Sequence, residues 1–163
     1  MSRGAIGIVI LAVAMAVCLM PEPALAQSQT TVTGAGAGSL PAGSSYNGVS
    51  LSGLRFGMGV SIASNGTASG DFESTLLGTA AGQSRTIGVV GKPSSGSVPS
   101  AGRATFSGVC VINMGDGTPP LTGVPFTATA VAGVGATESL TLTLGSTNLP
   151  TATGSDGRIT VAK

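Results

Sequence analysis

The sequence predicts an all-β protein: a single antiparallel β-sandwich, immunoglobulin-like or jelly-roll-like, of about 7–8 strands and rich in meander connections, with a small β-barrel as the alternative. Three observations carry this. From residue 49 onward apolar and polar residues alternate with a period of two, the mark of strands with one buried face. Turn residues interrupt the alternation at short, regular intervals, and no segment after residue 26 shows the period of a helix.

The elements follow in order. In LRFGMGVSI, residues 54–62, the side chains Leu54, Phe56, Met58, Val60 and Ile62 share one face while Arg55, Gly57, Gly59 and Ser61 share the other. Asn65-Gly66 is a strong hairpin signal because both residues tolerate positive φ. The return strand, 70–78, turns Phe72, Ser74 and Leu76 inward and Asp71 and Glu73 outward. A strand over 85–92 ends at Pro93, and residues 93–102, PSSGSVPSAG, read as an irregular connection. Strands at 104–114, 123–132, 139–145 and 157–162 complete seven, and 47–53 supplies an eighth. All four phenylalanines fall at inward positions, which argues against disorder despite the 27 glycines.

Residues 1–26 carry an early Arg3, an apolar run from Ala5 to Met20, then Pro21, Pro23 and the small-x-small triplet Ala24-Leu25-Ala26. That is the three-part pattern of a cleaved signal peptide, so the expectation is an exported chain: periplasmic, cell-surface or extracellular. Residues 27–48, rich in Gly, Ser and Thr with little to bury, read as a flexible lead-in, and residues 49–163 as the one folded domain. The lead-in contains GAGAGS once, too few copies for a cross-β stack.

The chain has no histidine, which removes Ser-His-Asp triads, Cys-His dyads and imidazole metal sites together. Its six cations after residue 26 are scattered, so neither nucleic acid nor an anionic membrane surface is an expected partner, and no stable membrane span is expected once the signal is removed. With Cys18 in the leader, Cys110 has no partner for an internal disulfide; it lies in register with Phe106, Ile112 and Met114 and is expected to be a buried, inert thiol.

Three groups of residues are weak candidates for a site. Asn113 and Asp116 in NMGDGTPPLTG are oxygen donors of the kind calcium takes, the one cofactor considered, although Asp116-Gly117 equally makes a turn. Asp71 and Glu73 share an outer strand face, as paired carboxylates must for acid and base work. Tyr46 is the one aromatic outside the strands read as core, and so a candidate for sugar stacking. The tetrad GDGT, 115–118, resembles the turn of the immunoglobulin-like repeats named after polycystic kidney disease, though Asn113-Met114 stands before it and no tyrosine follows; the resemblance implies an immunoglobulin-like sandwich. No catalytic residue is expected. By elimination the reading is an exported, non-enzymatic surface or extracellular binding or structural module. A fibre or pilus-like subunit, self-associating through a sheet edge, is the alternative, and an outer-membrane barrel or a hydrolase ranks lower.

Overall fold

The computed structural model describes residues 28–163; the signal-peptide reading and Cys18 lie outside the described residues. The protein is all-β and antiparallel. Eight long strands, β1 (Gln29–Ser39), β3 (Val49–Ala63), β4 (Ala68–Ala80), β5 (Gln83–Ser100), β6 (Arg103–Asn113), β7 (Leu121–Val131), β9 (Ser139–Leu144) and β11 (Ala152–Ala162), are joined by three two-residue strands, β2 (Ser45–Tyr46), β8 (Gly133–Val134) and β10 (Thr147–Asn148), and by a 3-10 turn at Gly135–Thr137.

Neighbouring strands pair in the order β9-β7-β6-β5-β4-β3-β1-β11, and β11 pairs in turn with β9, so the sheet closes. The register shows how. Opposed residues lead from Thr86 on β5 through Leu77, Gly53, Ser39, Thr153, Ser139, Val131 and Arg103 back to β5, arriving at Ser100. A sheet that returns to its own strand displaced along it is a tilted, staggered one, as closure requires. A flattened barrel and a sandwich joined at both corners share this pairing.

Alternation builds the interior. Leu54, Phe56, Met58, Val60 and Ile62 of β3 are buried, as are Leu140, Leu142 and Leu144 of β9. At the centre Phe72 stacks on Phe126 with centroids 5.5 Å apart, and Phe106 meets both rings edge-on at 5.7 and 6.3 Å. These are favoured aromatic geometries. The outer face carries hydroxyls: Thr105 bonds Thr129 at 3.0 Å and Ser107 bonds Thr127 at 2.8 Å across β6 and β7.

Two segments differ from the sequence reading. Residues 29–39, expected in the flexible lead-in, form β1, hydrogen-bonded to β3 on one side and β11 on the other. Its stability comes from backbone bonds on both edges, which composition does not display. The inward positions of GAGAGS are small because neighbours come close: a Cβ on Gly36 would lie 2.4 Å from the Asp156 carbonyl oxygen. Residues 93–100, expected to be an irregular connection, continue β5, with register shifts at Pro93/Ser95 and Ser97/Ser100. The shifts accommodate Pro93, which has no N–H for the ladder, without ending the strand.

Candidate functional site

The two ends of the closed sheet are built differently. At one end the β1–β3 connection folds across the opening. Leu40, Ser44 and Tyr46 are buried there, joined by Leu149 from the β10–β11 connection, and the Ser44 hydroxyl donates to the Pro41 carbonyl at 2.6 Å. Asn47 reaches the Met114 sulfur on the far wall at 4.0 Å. Tyr46 is 5% exposed, so its ring offers no face for stacking a sugar and instead plugs the interior. Burial pushes its hydroxyl pKa up, and the Cys110 sulfur nearby adds to the shift. Cys110 is 2% exposed, and burial pushes its thiol up to about 11. A thiol so far from ionising is a poor nucleophile at neutral pH.

The same end holds the β6–β7 turn. Asn113 Oδ1 accepts the Gly115 N–H at 2.9 Å, while Asp116 Oδ1 accepts both the Thr118 N–H at 3.0 Å and the Thr118 hydroxyl at 2.6 Å. These bonds, with Arg85 nearby, hold the Asp116 carboxyl below its ordinary pKa. Asn113 Oδ1 and Asp116 Oδ1 thus serve the turn, and among the described residues no three His, Cys, Asp or Glu side chains gather. Asp71 and Glu73 lie exposed on β4, where Asp71 pairs with Lys92 of β5; both partners of that ion pair are about two-thirds exposed. Glu73 borders a shallow depression with Arg55 and Thr75, apart from Asp116. Asp71 and Glu73 stay neighbours on one exposed face of β4, and Asp116 lies in the β6–β7 turn.

Among the described residues, the opposite end is bordered by clefts. Two cavities, of about 430 and 460 Å³, share Thr30, Val98 and Lys163. The first is completed by Ile62, Asn65 and Ser97, the second by Pro99, Gly102 and Val161. The β3–β4 hairpin forms one rim: Asn65 Oδ1 accepts the Thr67 N–H at 2.9 Å, and the Gly66 carbonyl takes the Gly96 N–H of β5 at 2.9 Å. That bond ties the hairpin to the irregular half of β5, whose register shifts carry Val98 to the opening. Sequence reading missed this mouth. Its walls come from segments distant in sequence, and the irregularity at Pro93 and Pro99 was the one local sign.

Near this end sits a second feature that sequence reading missed. Glu138 is 1% exposed, and neither carboxyl oxygen has a hydrogen-bond partner. Burial raises its pKa; the Ile159 amide, which falls short of a hydrogen bond, opposes the rise, and Asp156 adds to it. The signal was the alternation of β9 carried back one step, which puts position 138 on the inward face with Leu140, Leu142 and Leu144.

Comparison of the chain with protein-family models, with curated proteins and with solved structures finds no match. What defines the molecule is its own geometry: a closed antiparallel sheet, covered at one end and bordered by two clefts at the other.

Proposed function

We propose that the protein is an exported, non-enzymatic binding module that takes a small molecule into the open mouth lined by Thr30, Val98 and Lys163. One observation carries the reading: the two cavities there fall within the size range of ligand sites, and the mouth of a closed sheet is a recurrent place for one. The lining is mixed. Ile62, Val98, Pro99 and Val161 offer apolar surface, while Thr30, Asn65, Ser97 and Lys163 offer hydrogen bonds and one positive charge. A compact amphiphile, neutral or with a single acidic group, matches that chemistry.

Further support is comparative. A fibre subunit recruits partners through a free strand edge, whereas each of the eight long strands here has paired neighbours on both sides. A lipid-facing barrel turns a continuous apolar band outward, whereas the four phenylalanines and most leucines here point inward, and the outward apolar residues are Val90, Val109, Val111, Leu121 and Val134 among hydroxyl-bearing neighbours. Acid–base catalysis needs groups gathered in a cleft, and Asp71 and Glu73 lie on an exposed strand face while Asp116 lies in an exposed turn.

The test is a titration of the isotope-labelled chain with a library of small amphiphiles, read by amide chemical shifts. Shifts concentrated at Thr30, Ser97 and Val98, and lost in Val98→Trp, are the expected result. Shifts confined to the outer threonine face, or unchanged in Val98→Trp, would place binding elsewhere.

A further inference from the structure

The seam between β11 and the strand beside it is the least regular part of the closed sheet. Val134 and Gly133 of β8 oppose Arg158 and Ile159, and Ser139 and Leu140 of β9 oppose Thr153 and Ala152. Between these two short ladders one side makes the 3-10 turn Gly135–Thr137, and the other passes over Ser155, where the register of β11 against β1 shifts. Residue 138 stands at that interruption: the Glu138 carbonyl takes the Gly154 N–H at 2.9 Å, and its side chain is enclosed.

The enclosure is tight, and the Ile159 amide that approaches the carboxyl makes no hydrogen bond with it. A Cβ on Gly154 would lie 2.2 Å from the Glu138 Cγ, and a Cβ on Gly36 would lie 3.0 Å from its Oε1. Glycine at both positions makes the space that the side chain fills. The charged residues on the elements packed around it are Asp156 and Arg158 of β11; both are exposed, and β1, β8 and the 3-10 turn carry none. A carboxylate with neither a hydrogen bond nor a paired cation costs several kcal/mol to bury, whereas the neutral acid costs far less.

We propose that Glu138 is a proton-operated latch: as a neutral acid it lets the 132–138 segment close against β11, and loss of its proton releases that segment. The release bears on the mouth. Ala132 N–H donates to the Gly102 carbonyl at 2.7 Å, and Gly102 and Val161 line the second cavity. Regulation of ligand access by pH rests on the binding reading above; the latch itself does not.

The sign follows from linkage. A carboxyl whose pKa is raised in the folded state contributes stability that is full below the unfolded carboxylate value, and that contribution is lost as pH rises through the folded pKa. The experiment is hydrogen exchange of the full chain without ligand, followed across pH and corrected for intrinsic exchange. In the native protein, protection over residues 132–140 and 152–159 falls by up to about tenfold per pH unit between the ordinary carboxylate pKa and the folded pKa and levels off above it, while Glu138→Gln holds its protection constant. Equal pH profiles in the two proteins would overturn the proposal. Should Glu138→Gln not fold, Asp156→Asn decides the matter: removal of the like charge moves the midpoint to lower pH, and an unmoved midpoint overturns the latch. Because no ligand enters the measurement, its failure leaves the mouth untouched, and a mouth that binds nothing leaves the latch untouched.

Discussion

The two ends of this closed sheet present the same problem, an apolar interior facing water, and solve it in opposite ways. At the Tyr46 end the chain covers the opening with Leu40, Tyr46 and Leu149, all buried. At the Thr30 end the strands stop around cavities of about 430 and 460 Å³. A chain that can fold a connection across one opening has the means to fold one across the other. The contrast teaches that closing the sheet and sealing its ends are separate tasks, and that the unsealed end is where a guest has room.

Removing the plug should have the largest effect. Tyr46→Ala deletes a buried aromatic, and denaturant unfolding should show a loss of about 3–5 kcal/mol, the range for large aromatic-to-alanine changes in cores. A loss under about 1 kcal/mol would mean that the capped end contributes no more than the open one. The same variant sharpens the contrast through Cys110. With its thiol at about 11 and buried, alkylation in the native protein should be slow and should accelerate in Tyr46→Ala. Equal rates would show that Tyr46 is not the barrier.

At the seam near the open end, Gly154→Ala forces a methyl group against Glu138 and the Gly135 carbonyl, both 2.2 Å from the new atom. Overpacking of this kind costs about 1–3 kcal/mol, and thermal unfolding would report it. The smallest effect belongs to the mouth itself. Val98 lies on the rim of both cavities, so Val98→Trp should change stability by less than about 0.5 kcal/mol while abolishing the amide shifts produced by a bound amphiphile. A large stability loss there would make the mouth part of the core rather than a site.

Much of the wall was legible before the structure. Alternation placed Phe56, Phe72, Phe106 and Phe126 inward, and Asn65-Gly66 marked a real hairpin, because a strand's two faces are written in the identities of successive residues. The site was not. Tyr46 read as a free aromatic because its neighbour Cys110 lies more than sixty residues away. Glu138 lay within the legible alternation of β9, but a carboxylate on an inward face reads as an exception until its surroundings are known.

The sequence by itself determined the all-β class, the inward faces and the hairpin turns, since each depends on residues near one another along the chain. Only the tertiary structure decided that GAGAGS is a strand and that β11 reaches both β1 and β9. It also decided that one end is covered by Leu40, Tyr46 and Leu149 while clefts border the other. Those outcomes rest on backbone hydrogen bonds and close approaches between segments far apart in the chain, and a glycine beside a distant carbonyl looks, in sequence, like a glycine in a linker.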